Sequence, residues 1–198
     1  VGLVKEGHRV VLTHGNGPQA GVHLIRNEAG AAQVAPSSLN VIVADTQGSI
    51  GYMIQQSLMN ALLKAGVKTE VVTVVTQVVV DKDDPSMINP TKYVGPFFKA
   101  EHLDACKAKG WVMKEDPGRG YRRVVASPIP VDVVEKGVIH ELLDSGKVVI
   151  AVGGGGVPVC RLADGTLEGV DAVIDKDRAS ALLAGLIKAD ELLILTGV

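Results

Sequence analysis

The sequence predicts an α/β fold: a three-layer α/β/α sandwich on a mostly parallel sheet, with a small protruding subdomain. Three observations carry that prediction. Short apolar runs alternate with helical patterns along most of the chain, as helical crossovers between parallel strands require. Of the 198 residues, 46% are hydrophobic, only 3% are aromatic and 23 are glycine, a balance that suits buried strands covered by helices on both faces. Finally, glycine-rich turns follow two of the predicted strands, the place where such folds seat ligands. The length sets a single domain over residues 1–198, with 81–130 as a lobe inserted within it.

Residues 1–6 read as the last turns of a helix closed by Gly7, whose start lies before Val1. Strands are predicted at 9–13, 41–44, 70–80, 147–152 and 191–195, and helices at 18–28, 46–65, 99–109, 132–145 and 176–188. Helix 46–65 takes Asp45 or Thr46 as its N-cap and stops at Gly66. Helix 132–145 follows Pro130 and stops at Gly146. The final apolar run, Leu192–Leu195, ends where a loop is expected, and no initiator Met is present. The chain therefore reads as a fragment of a longer protein.

Between 81 and 130 the alternation breaks. Prolines, charges and the aromatics Tyr93, Phe97, Phe98, Trp111 and Tyr121 concentrate there, as expected of a lid or binding lobe with a small core of its own.

Four segments carry chemistry. Thr13-His14-Gly15-Asn16-Gly17-Pro18-Gln19 joins a strand to a helix, and its glycines let the backbone approach an anion at the helix start. Gly153-Gly154-Gly155-Gly156 follows the strand at 147–152. So many bare residues are costly in chain entropy, which points to amides that hold a phosphate or a small anion. Asp171 to Arg178 opens the helix at 176. Asp175 caps that helix and Asp177 suits its dipole, but Lys176 opposes the dipole and makes sense against phosphate oxygens, held in place by Asp175. Within the lobe, Asn89-Pro90-Thr91-Lys92-Tyr93-Val94-Gly95-Pro96 places Lys92 where it is either a surface lysine or a second cation over the site.

Other chemistries fit less well. The net charge of −2, from 20 basic and 22 acidic residues, gives no basic surface for nucleic acid or membrane. No apolar stretch has membrane-spanning length. Cys106 and Cys160 form no disulfide framework, which favours the cytoplasm, and neither shows a nucleophile pattern. His140-Glu141-Leu142-Leu143-Asp144 lacks the second histidine of a zinc-protease helix, and there is no Walker-type phosphate loop. No metal-ligand spacing appears. Gly15-x-Gly17-x-x-Ala20 does match the dinucleotide fingerprint, with Asp45 ending the next apolar run, so an NAD(P)-binding Rossmann oxidoreductase is the rival reading. That fold has no use for the second glycine turn or for Asp175-Lys176.

Taken together, His14-Gly15-Asn16-Gly17-Pro18-Gln19, Pro90-Thr91-Lys92…Gly95, Gly153-Gly154-Gly155-Gly156-Val157-Pro158 and Gly169-Val170-Asp171-Ala172-Val173-Ile174-Asp175-Lys176-Asp177 resemble carbamate kinase, of the amino-acid kinase superfamily. Their order and approximate spacing match over nearly the whole chain. The resemblance implies reversible phosphoryl transfer between ATP and carbamate, giving ADP and carbamoyl phosphate, with Mg²⁺ on the nucleotide and no protein-held metal. It further implies a homodimer and a protruding subdomain. By position, Gly15, Asn16, Gly17, Gly154, Gly155 and Gly156 would bind substrate, Lys176, Asp175 and Lys92 would be catalytic, and Lys176 and Thr196 would bind nucleotide. The family's Gly-Gly-Asn turn would lie before Val1, its C-terminal lysine would lie beyond Val198, and Gly197 stands where the family has an acid. The chain alone is therefore expected to be an incomplete amino-acid kinase domain and a poor catalyst. Another acyl-phosphate-forming kinase of the superfamily and a non-catalytic nucleotide-binding homologue are the alternatives.

Overall fold

The structure, a computed structural model, describes residues 1–195. A short helix α1 (Gly2–Lys5) precedes β1 (Val11–Leu12), which turns directly into α2 (Gly17–Gly30); the long helix α3 (Leu39–Lys64) follows. The chain continues through β2 (Val71–Thr73), β3 (Gln77–Val80), α4 (Pro85–Ile88), β4 (Lys92–Phe98), α5 (Leu103–Ala108), β5 (Val112–Asp116), β6 (Gly120–Val125) and β7 (Pro130–Val133). It closes with α6 (Lys136–Asp144), β8 (Val148–Ile150), β9 (Val157–Arg161), β10 (Leu167–Gly169) and α7 (Lys176–Leu186).

The body is built on two sheets. β1, β8 and β2 form a parallel sheet in the order β1-β8-β2. The second sheet, β10-β9-β3-β7, is parallel at β9–β3 and antiparallel at its margins. Strand β8 shows how the layers are made, because successive side chains of a strand face opposite ways. Val149 packs with Ile139 and Leu143 of α6 and with Ala179 and Leu183 of α7. Its neighbours Val148 and Ile150 face the other way, onto Leu62, Ile54 and Leu58 of α3. Helices therefore cover both faces, and the all-apolar run at 148–150 is the signature of a strand buried on both sides. Each fully buried Ile or Leu here, such as Ile139 or Leu183, contributes about 1.5–3 kcal/mol by leaving water.

The lobe leaves the body after β3 and returns as β7, which pairs antiparallel with β3. The Asp84 carboxylate fastens the two ends, accepting from the Ser86 N–H at 2.8 Å and the Ile129 N–H at 3.0 Å. Within the lobe, β4, β6 and β5 make an antiparallel sheet. Phe98 and Trp111 meet edge to face with centroids 6.0 Å apart, whereas Tyr93 and Phe97 are surface-exposed and lie beside Arg122. The aromatic residues are thus half-buried or exposed, and Trp111 in turn lies beneath Lys109 and Arg123.

Several predicted elements change. Residues 41–44 lie inside α3, whose N-cap is Ser38, not Asp45 or Thr46. A four-residue apolar run does not distinguish a buried helix face from a strand. The predicted strand 70–80 is two strands, because residues 74–76 carry the chain from one sheet to the other. Residues 132–133 extend β7 and α6 starts at Lys136, since pairing with β3 claims them. A 3₁₀ turn at 100–102 precedes α5 in place of one continuous helix. Residues 191–195 form no strand; Leu192 to Leu195 are exposed and pair with no neighbour among the described residues.

Candidate functional site

The site follows from sheet order. β1 and β8 are parallel neighbours, with Leu12 opposite Ile150, so the turns that follow them emerge side by side at one edge of the sheet. The two turns interlock. The Gly154 N–H donates to the His14 carbonyl at 2.7 Å. A Cβ at Gly153 would stand 2.3 Å from His14 Nε2, and one at Gly154 would stand 2.2 Å from Asn16 Nδ2. With φ of +66°, Gly154 is doubly committed to glycine. Asn16 is buried, and its Nδ2 donates to Thr46 Oγ1 at 2.9 Å.

The two turns do different work. In the second turn the Gly154, Gly155 and Gly156 amides are spent inside the protein, on the carbonyls of His14, Val152 and Gly153. Of these glycines only Gly154 faces the cavity; Gly155 and Gly156 lie beneath it. A Cβ at Gly155 would stand 2.5 Å from the Ile174 carbonyl, and one at Gly156 would stand 2.1 Å from Val78 Cγ2. Close packing therefore accounts for glycine at 153 to 156. The first turn of α2, where Asn16 makes no side-chain cap, lines the same cavity through Gly17 and Pro18.

Three cations surround the same cavity of about 530 Å³. Its walls are Gly15, Asn16 and Gly17, then Lys92 to Pro96 with Arg122 from the lobe, then Gly154 and the segment Val173 to Lys176. The aliphatic stem of Lys176 runs past Gly15, where a Cβ would stand 3.3 Å from Lys176 Cδ. Asp175 is the N-cap of α7, accepting from the Asp177 and Arg178 N–H groups. Its other oxygen, Oδ2, faces Lys92 Nζ at 3.3 Å. Lys176 Nζ pairs instead with Asp177 Oδ1 at 2.8 Å. Sequence reasoning had Asp175 hold Lys176; the structure gives Asp175 to the lobe's lysine, because an N-cap side chain folds back over its own helix end while Lys176 projects outward.

The electrostatics follow from these contacts. Partial burial works against ionising Asp175, but the Arg178 N–H, the Lys92 ammonium and the Asp177 N–H outweigh it and hold the carboxyl below its usual range. The pKa of His14 is lowered too, here by burial, opposed by its contact with the Gly15 carbonyl, and for a base that shift favours the neutral ring.

Sequence reasoning gave no individual site role to two residues that shape the site. Arg122 grips the Gly95 carbonyl through Nε at 3.2 Å and Nη2 at 3.0 Å, fixing the irregular middle of β4. Asp171 accepts from the Leu39 N–H at the start of α3 and from Arg123 of the lobe, at 3.0 and 3.2 Å. One arginine within a charged run and a turn aspartate carry no local signal of such long-range contacts. The predicted nucleotide residue Thr196 lies outside the described residues. Asp45, the ribose-binding acid of the dinucleotide reading, sits inside α3 and not at a strand end, so that reading loses its acid. Among the described residues no group of three or more His, Cys, Asp or Glu could hold a metal ion. Nor, among the described residues, is any helix long and apolar enough to cross a membrane.

Adjacent parallel strand ends that present a helix start and two lysines to one cavity place this molecule among the α/β proteins whose cavity lies at the carboxyl edge of the sheet. The sequence model of the amino acid kinase family matches residues 1–198, and the chain belongs to that family. It is 51% identical over 201 residues to the "Carbamate kinase-like protein YqeA" of Escherichia coli, covering 100% of this chain and 64% of that one. It is also 51% identical over 199 residues to the carbamate kinase of Pyrococcus horikoshii, covering 99% of this chain and 63% of that one. A Giardia lamblia carbamate kinase structure bound to AMP-PNP superposes with a TM-score of 0.90 at 44% identity, covering 98% of this chain and 62% of that one. The chain thus spans just under two thirds of the length of these relatives.

Proposed function

We propose that the complete protein is a carbamate kinase, transferring a phosphoryl group reversibly between ATP and carbamate to give ADP and carbamoyl phosphate. The observation that carries this reading is the convergence on one cavity of the α2 start, Lys92, Lys176 and the Asp175 cap, in a chain half identical to named carbamate kinases. Carbamate lies against Gly15, Asn16 and Gly17, with Gly154 as the floor. Lys176 and Lys92 neutralise the equatorial oxygens of the migrating phosphoryl group, and Lys176 and Thr196 also contact nucleotide. Asp175 acts by placing Lys92. A carbamate oxygen bonds to the γ-phosphorus as the bond to the ADP oxygen breaks. Carbamate is already an anion, so no general base is required, and positioning and cations supply the catalysis.

Mg²⁺, when bound, screens the nucleotide phosphates and templates their geometry. Asp175 and Asp177 are engaged by lysines, a donor set that suits a cation arriving on the nucleotide. We also assign the protein to the cytoplasm, on the strength of two unpaired buried cysteines, and to a homodimer, on family resemblance.

Lys176→Ala in the complete protein tests the reading. ATP formation from ADP and carbamoyl phosphate should fall on the order of 10²–10³-fold with circular dichroism unchanged; undiminished turnover overturns it. A second reading, a non-catalytic nucleotide-binding homologue, draws on the equal match to a protein named only carbamate kinase-like. A wild-type complete protein that binds nucleotide without turnover would favour it, and turnover with another carboxylate in place of carbamate would favour a related acyl-phosphate-forming kinase.

A further inference from the structure

Both turns of the site are held by two consecutive residues of one helix, and this carries an inference beyond the residues that line the cavity. Thr46 and Gln47 of α3 are among the most deeply buried polar residues of the protein, at 0% and 1% exposure. Consecutive helical side chains diverge by about 100°, so one helix can reach two separate loops. Thr46 Oγ1 donates to the Val43 carbonyl at 2.8 Å and accepts from Asn16 Nδ2, which pins the β1–α2 turn. Gln47 uses both ends of its amide on the backbone of Thr76. Its Nε2 donates to the Thr76 carbonyl at 3.1 Å, and its Oε1 accepts from the Thr76 N–H at 2.7 Å. Thr76 passes the constraint on, because its Oγ1 accepts from the Val152 N–H at 3.0 Å. Val152 opens the glycine turn with φ of +54°, a left-handed conformation costly for a β-branched residue, which persists only where its surroundings enforce it.

The rest of α3 shows that this is a specific attachment to the site. Residues 47, 51 and 55 share one face of the helix. Gly51 lets α3 approach β2, since a Cβ there would stand 2.3 Å from Thr73 Cγ2. Gln55 Oε1 accepts from the Thr73 N–H at 3.0 Å and from its hydroxyl at 2.9 Å, so it holds the sheet margin without touching either turn.

We propose that Thr46 and Gln47 are positioning residues for phosphoryl transfer: through Asn16 and through Thr76 and Val152 they fix the two turns to one rigid helix. Catalysis by placement loses much of its rate when reacting groups shift by an ångström, so loosening either turn should lower turnover more than affinity. The inference rests on the carbamate kinase reading for its kinetic half only; the mechanical half is independent of it.

The test compares Thr46→Val, Gln47→Met and Gln55→Met in the complete protein. Turnover of ADP with carbamoyl phosphate should fall on the order of 10²-fold for Thr46→Val and Gln47→Met with KM little changed. Gln55→Met should keep its turnover while losing comparable thermal stability, and Thr46→Ser, which retains the acceptor, should restore the rate. Amide hydrogen exchange gives the second readout: residues 14–17 should exchange faster in Thr46→Val, and 152–156 faster in Gln47→Met. Unchanged exchange in these turns, an unchanged kcat, or an equal loss of turnover in Gln55→Met each overturns the proposal. If the wild type shows no carbamate kinase turnover, the functional reading fails, and the exchange data alone decide whether α3 holds the turns.

Discussion

The two walls of the cavity obey different physics. On the body side, the turns after β1 and β8 are locked by backbone hydrogen bonds, by contacts that admit no Cβ, and by buried side chains of α3. On the lobe side, the ties to the body include the ion pairs Lys92–Asp175, Arg123–Asp171 and Lys109–Glu28, Lys92 is more than a third exposed, and Arg122 stacks on half-open aromatic rings. Close packing is short-ranged and insensitive to salt, whereas exposed charge pairs are screened and individually weak. A rigid wall facing an adjustable one suits a reaction in which one substrate is placed and the other is gathered around it.

The largest effect should come from breaking the rigid wall. Gly154→Ala forces a Cβ into Asn16 at a left-handed φ, and should cost about 2–4 kcal/mol of stability together with nearly all activity. Chemical denaturation and turnover measure both, and a stable, active variant would dissolve the contrast between the walls. Next comes the adjustable wall. Lys92→Ala should lower turnover on the order of 10²-fold while changing stability by less than about 1 kcal/mol, because its pair with Asp175 is solvent-screened. A large loss of stability would show the lobe to be welded to the body. The smallest effect is in pH. His14 is held neutral in the fold, so below about pH 6.5 the unfolded chain binds a proton that the native one resists. Stability should therefore fall as pH drops through that value, and level off below the lower native pKa. His14→Asn should flatten this slope in melting curves, and an unaltered slope would remove His14 from the account.

Much of the site was legible because its residues violate local economy. A run of four glycines and a lysine at a helix N-terminus both ask for a reason, and both proved to face or underlie one cavity. The Asp175 cap was equally legible, since N-capping is decided within three residues. Its ionic partner was not, because Lys92 arrives from 83 positions away. Likewise Val41 to Ala44 reads equally well as a strand or a helix face until Leu39 and Ile42 are seen buried against the rest of the body. Thr46, read as a cap, became a mid-helix anchor for Asn16 for the same reason.

The sequence alone determined the alternation of strands and helices, the place of the glycine turns and the resemblance to carbamate kinases, because each is written in residues close together in the chain. Tertiary structure alone decided that β1 and β8 lie side by side, that the second turn spends its amides on the protein, that Asp175 answers to Lys92, and that α3 holds both turns. Those outcomes depend on sheet order and on the meeting of distant side chains, and neither leaves a periodic trace along the chain.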